Sequence, residues 1–234
     1  AHWNIRATAI RSLDFLPSDL AANAKNKLSE MAIKDNKSSV RVAALRELHK
    51  NYKDEEVMKI YKEAMEDLSY AVIGEALTCL SEDDMAEGMK RAKALERESA
   101  ELSTGIMATI AGIYAEKGGE EERAFFEKYI NEAKGFGKIG FVVAYEKYLK
   151  NETLSDETVN RGIDILKKIV ETDNTFYVKL YGVQSIKNIE SEYSKREMIL
   201  NDKIAKEEKV KPSSEEITML RTQLDRVILQ KKKL

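Results

Sequence analysis

Asp35-Asn36, followed by Val40-Arg41-Val42-Ala43-Ala44-Leu45-Arg46-Glu47-Leu48, is the stretch on which the fold of this chain turns. Its apolar positions recur. Ile5, Ala9, Ile10 and Leu13 precede Val40, Ala44, Leu45 and Leu48 by 35 residues, and Val72, Ala76, Leu77 and Leu80 follow them by 32. A near-constant period in this range marks stacked helical hairpins, each too small to bury its apolar face alone. The small residues Ala9, Ala44 and Ala76 are expected where neighbouring backbones approach closely.

The first repeat helix is predicted from Trp3 to Phe15, ending at Leu16-Pro17 because the residue before proline is pushed out of the helical region. Ser18 or Asp19 caps its partner, whose apolar face is Leu20, Ala24, Leu28 and Met31. Asp35-Asn36 turns the chain into the second repeat. Asp54 caps a helix bearing Val57, Ile60, Tyr61, Ala64 and Met65, and Asp67 then takes the place of Asp35.

A weaker copy, Leu102, Ile106, Met107 and Ile110, ends at Gly118-Gly119. Asp173-Asn174 with Val178, Lys179, Gly182, Val183 and Ile186 repeats the second copy at a constant offset of 138 residues, counted from Asp35 to Asp173, and Phe136 to Leu149 reads as a degenerate copy between them. Ile189, Tyr193, Arg196 and Leu200 continue one helical face, Val210-Lys211-Pro212-Ser213 interrupts it, and Ile217, Leu220, Leu224 and Val227 or Ile228 form a last amphipathic helix. The expected architecture is all-α: an α-solenoid of stacked antiparallel helix pairs over 1–190, with capping helices over 191–234 in the same structural domain.

Composition agrees with long solvated helices: 34% of the 234 residues are charged, 7% aromatic, and two are proline. The 39 basic and 41 acidic residues leave a net charge of -2, so no global field attracts nucleic acid. No stretch reaches the roughly 18 consecutive apolar residues of a membrane span. The chain opens on Ala1-His2-Trp3-Asn4, without an initiator methionine, and enters a repeat helix at once, which reads as a piece of a larger protein. The compartment is left open by the sequence, since Cys79 is the only cysteine and no targeting segment is present.

No catalytic set emerges. Gly135-Phe136-Gly137-Lys138-Ile139-Gly140 is a literal G-x-G-x-x-G, but the run before it, Phe125 to Ile130, has a helical period where a dinucleotide site needs a strand. A helix C-cap and turn is the expected role. His2 and His49 stand far apart, and neither H-E-x-x-H nor C-x-x-C occurs, so no metal site and no cofactor are expected in this chain. Cys79, between Leu77 and Leu80, reads as a buried thiol rather than a nucleophile. The acidic runs Glu82-Asp83-Asp84 and Glu120-Glu121-Glu122 are placed at helix starts, where carboxylates complement the dipole, and Lys231-Lys232-Lys233 reads as a solvated tail.

Arg6 and Arg41 recur just after the first apolar residue of their repeats, with Lys179 in the later copy. Two readings stand. In one they fasten neighbouring repeats through Asp35, Asp67 and Asp173, since an arginine fork matches a carboxylate; in the other they form a cationic line facing a peptide ligand.

The turn aspartate, Val-Arg pair and small-large pair of 35–48 resemble the HEAT-repeat pattern, over about half of the chain. More narrowly, His2-Trp3-Asn4-Ile5-Arg6 with Ala9-Ile10 and Leu13, then Ser39-Val40-Arg41, resembles the C-terminal helical domain of bacterial aminopeptidase N-type zinc metallopeptidases. The resemblance implies a non-catalytic domain that covers the catalytic domain of the same parent chain and shapes peptide access. Zinc would belong to that catalytic domain, because the H-E-x-x-H motif is absent here and no catalytic residue carries over. Periplasm and cytoplasm of a bacterium both fit. The alternatives are a free-standing HEAT-repeat scaffold that binds a protein or peptide partner and, more weakly, a metal-independent enzyme.

Overall fold

A computed structural model of the chain describes residues 2–13, 18–98, 104–210 and 215–234. Every regular element among them is helical, and the chain divides into two compact units, 1–113 and 114–234, with the division inside one helix.

The first unit holds α1 (Trp3–Arg11), α2 (Ser18–Lys34), α3 (Ser38–Asn51), α4 (Glu55–Ala64), α5 (Tyr70–Asp83), α6 (Met85–Glu98) and the larger part of α7 (Thr104–Lys117). Alternate helices touch: α1 packs on α3 and α3 on α5, while α2 packs on α4. Sequential pairs, α2 with α3, α4 with α5 and α5 with α6, close the two rows against each other. Val40, Ala44, Leu45, Leu48, Val72, Ala76, Leu77 and Leu80 are fully buried between the rows. Each large aliphatic among them contributes roughly 1.5–3 kcal/mol by leaving water.

The first copy of the motif behaves differently from its repeats. Ile5 is 63% exposed where Val40 is 0%, and Ala9 is exposed where Ala44 is buried. The reason is packing: α1 lies against α3 on one side, and among the described residues no helix covers the other. Helix α1 also stops at Arg11, short of the expected Phe15, as the Ser12 N–H turns back to the Ala9 carbonyl and its hydroxyl to that of Thr8. The Leu16-Pro17 stop, the caps Ser18 and Asp19, Leu102 and Pro212 lie outside the residues or side chains described.

The second unit holds the end of α7, a 3-10 turn (Glu120–Glu122), α8 (Arg123–Glu132), α9 (Gly135–Leu149), α10 (Asp156–Thr172), α11 (Phe176–Val210) and α12 (Glu215–Lys233). Again α9 packs on α11, α8 on α10 and α10 on α12. Its core is aromatic. Phe125 meets Tyr114 edge-on at 5.0 Å, and Phe126 stacks on Tyr148 at 4.6 Å. The Tyr148 hydroxyl donates to the Gly119 carbonyl at 2.7 Å, which ties the turn after α7 to α9. Residue 190, the expected end of the repeats, falls inside the uninterrupted 35-residue α11.

Two local expectations change. Glu82 and Asp83 end α5 rather than start a helix, and they are held there against the negative helix end by His49 of α3 and by Lys53, two residues past the end of that helix. Only Asp84 acts at a start, accepting the Glu87 N–H in the first turn of α6. The glycine-rich run opens α9 instead of closing a helix. Gly135, with φ of +54°, makes the turn out of α8, and the residues after it are helical.

Candidate functional site

Three features of the structure bear on function. The first is a set of turn carboxylates. Asp35, Asp67 and Asp173 each precede a helix of the α3, α5 or α11 position, and each accepts the backbone N–H two residues on, at 2.9, 2.7 and 2.8 Å. This side-chain turn is what aspartate does more readily than most residues. The same carboxylates take a cation from the helix two elements earlier: Arg6 to Asp35, Arg41 to Asp67 and Lys138 to Asp173.

Both arginine contacts are two-pronged. Arg6 donates Nε at 2.7 Å and Nη2 at 2.8 Å to Asp35, and adds Asn36 Oδ1 at 3.1 Å. Arg41 reaches Asp67 with Nε and Nη2, both at 2.7 Å, and turns Nη1 to the Asp35 carbonyl, so it touches both turns. The hydrogen bonds from Arg6 hold the Asp35 carboxyl below the usual carboxylate range, and Lys138 does the same for Asp173. Lys179, the sequence counterpart of Arg41, instead donates to the Glu171 carbonyl at 2.9 Å.

The second feature is an exposed aromatic and aliphatic face on α9 and α11. Phe136, 82% exposed, stacks on Tyr177 with ring centroids 6.5 Å apart, and Phe176 meets Tyr177 edge-on at 5.6 Å. Leu180 and Tyr181 continue the face one turn on, and Val143 is exposed on α9. Positions 176, 177, 180 and 181 form an i, i+1, i+4, i+5 stripe that on most helices is buried.

The third feature is a cavity of about 290 Å³ in the second unit, bounded by residues 151–159, the second half of α11 and α12. Arg226 is among its lining residues, with Nε 2.5 Å from Asp156 and Nη2 2.8 Å from the Leu154 carbonyl. Arg196 is held by the Lys150 carbonyl at 2.6 Å and by Glu192 at 3.3 Å.

Among the described residues no group of three or more histidines, cysteines, aspartates or glutamates is placed to hold a metal ion. The histidines are otherwise engaged. His2 caps α1, accepting the Asn4 N–H, and His49 bridges Glu82 at 2.7 Å and Asp83 at 3.1 Å. Burial raises the Cys79 thiol to about 12, which removes the thiolate a nucleophile needs. The G-x-G-x-x-G run follows a helix, α8, rather than the strand that a dinucleotide fingerprint requires. No described helix is long and apolar enough to cross a membrane. No family model, curated protein or solved structure matches the chain.

Sequence reasoning picked out Arg6 and Arg41, which lie in the turn clamps. It missed the aromatic face, although the stripe at 176–181 is legible as apolar positions on adjoining sides of one helix. The cavity gives no local signal, because its walls come from segments up to 79 residues apart, from Asn151 to Gln230.

Proposed function

We propose that the chain is a non-catalytic HEAT-type scaffold, a solenoid of stacked antiparallel helix pairs closed by helical capping elements, that binds a protein or peptide segment on one helical face. The packing of alternate helices and the recurring turn aspartates support the solenoid reading. One observation carries the binding reading: the exposed face of Phe136, Tyr177, Phe176, Leu180 and Tyr181. Contiguous exposed aromatics cost solubility and, on a folded protein, mark an interaction surface. Tyrosine and phenylalanine there supply large contact area with little side-chain entropy to lose. The occupant is a partner segment that presents apolar side chains.

Selection of peptides from a displayed random library against the intact chain tests this. Selected peptides should lose at least about tenfold in affinity with Phe136→Ser or Tyr177→Ser, while Met219→Ser, at an apolar residue of α12 whose exposure lies between those two, leaves them unchanged. Equal binding by all three variants would overturn the reading.

A second reading, an accessory C-terminal domain of a zinc aminopeptidase, is favoured by the Trp3-Asn4-Ile5-Arg6 phrase and by the use of its arginine as a fastener to Asp35. In this reading the domain covers the catalytic domain of its parent chain, which holds the zinc, and limits which peptides enter. An H-E-x-x-H upstream in the same gene, together with altered peptide-length preference on deleting this region, is the expected result. A parent gene without that motif removes it.

A further inference from the structure

The cavity of the second unit carries two uncommitted polar groups. Gln230 of α12 is 2% exposed and lines the cavity, and its side-chain oxygen is buried without a hydrogen-bond donor. A buried amide oxygen left unpaired is destabilising, and a bound donor would relieve it. Lys203 of α11 also lines the cavity, at its solvent-exposed edge, and has no ion-pair or hydrogen-bond partner among the described residues. The other two cations at the cavity are already answered, Arg226 by Asp156 and Arg196 by Glu192 and Glu152. Of the three cations at the cavity, Lys203 is the one without a carboxylate partner among the described residues.

Leu154, Val159, Tyr193 and Val227, all buried, give the same cavity an apolar lining. The volume of about 290 Å³ equals roughly ten waters' share of liquid, enough for a ligand of about ten to fifteen non-hydrogen atoms. Three requirements follow from the lining: an anionic group for Lys203, an N–H donor for Gln230 and a compact apolar body. Gln230 Oε1 itself is sealed from water, so it meets a ligand after rotation about the terminal amide torsion, which is broad in glutamine and allows the turn without leaving a preferred rotamer.

We infer that this cavity binds an apolar amino-acid unit with a free carboxylate, the carboxylate paired with Lys203, the adjacent N–H donated to Gln230 Oε1 and the side chain set against Leu154, Val159 and Val227. A free amino acid and the C-terminal residue of a peptide share this chemistry. The site is separate from the aromatic face of α9 and α11, so failure at one leaves the other standing.

Calorimetric titration of the intact chain with L-leucine, N-acetyl-L-leucine and N-acetyl-L-leucine methyl ester tests it. Saturable binding of either acid is expected, with the ester at least about tenfold weaker because it cannot pair with Lys203. Binding of leucine alone assigns the free amino acid; binding of the acetylated acid assigns a peptide C-terminus. Lys203→Met and Gln230→Leu should each weaken the better ligand about tenfold, while the melting temperature of the unliganded protein holds or rises in Gln230→Leu, which removes a buried orphan acceptor. No saturation up to about 10 mM, equal affinity for the ester, or unchanged affinity in both variants would overturn the assignment.

Discussion

Arg41 and Asp67 meet in a parallel two-pronged ion pair, Nε to Oδ2 and Nη2 to Oδ1 both at 2.7 Å, and the same Oδ1 accepts the Ser69 N–H at 2.7 Å. One carboxylate thus sets the turn into α5 and fastens that turn to α3. The side chains are 13% and 12% exposed, so the pair is shielded from the screening that makes surface ion pairs nearly neutral.

Removing one partner should therefore cost more than removing both. Arg41→Ala leaves Asp67 with its turn bond but without its counter-ion, and a loss of about 2–3 kcal/mol is expected from charge-assisted bonds of this burial. A double-mutant cycle with Asp67→Asn, read by urea unfolding, should return a coupling of at least about 1 kcal/mol. Additive losses would show that the pair is geometric company only.

The acid limb of stability should run through the turn aspartates. Asp35 and Asp173 have folded pKa values below the unfolded value of about 3.9, because Arg6 and Lys138 bond to the ionised forms. Their contribution is complete above about 3.9 and is lost as pH falls through the folded values. Asp35→Asn and Asp173→Asn should each lower the melting temperature at neutral pH and flatten its decline in acid. Melting curves with an unaltered acid slope in both variants would place the acid sensitivity elsewhere.

How much of this was legible varies with how local the determinant is. Val40, Ala44, Leu45 and Leu48 declare a buried helical face within nine residues, and they are fully buried; Asp54 announces its cap and accepts the Glu56 and Val57 N–H groups. Ile5 and Ala9 carry the same pattern yet stay exposed, since burial depends on a neighbouring helix that a pattern on α1 cannot specify. The run at 82–84 misled for a related reason. Acidic residues suit helix starts, but here two of them close α5, where Lys53, 30 residues before Asp83, offsets the unfavourable dipole and His49 hydrogen-bonds both carboxylates. Gln230 is still less legible, since its burial is set by packing against α11 and by the segment that follows Asn151.

Two glycines of the same stretch should respond in opposite directions to alanine. At Gly118 a Cβ would stand 2.4 Å from the Tyr114 carbonyl oxygen, the acceptor of Gly118's own N–H, so the end of α7 must shift. A loss of about 1–3 kcal/mol is expected from such overpacking. Gly112, inside α7, has nothing within 4 Å of its Cβ position, and alanine there should gain about 0.5–1 kcal/mol by helix propensity. Urea midpoints of the two variants moving the same way would contradict the backbone argument for Gly118.

Cys79 gives the remaining prediction, and it separates a packed thiol from a reactive one. It lies on α5, 2% exposed, and burial, with the charges of Glu75, Glu82 and Asp83 adding to it, pushes the thiol up to about 12. Against an unperturbed value of about 8.5, the thiolate fraction at pH 8 falls on the order of a thousandfold. Labelling by a thiolate-specific disulfide reagent should therefore be slow in the native protein and should accelerate across the urea transition together with the loss of helical circular dichroism. Coincident curves would make the thiol a reporter of cooperative unfolding in the first unit. Rapid labelling in the native baseline would mean that α5 opens locally, which the fully buried Val72, Ala76, Leu77 and Leu80 on the same helix argue against.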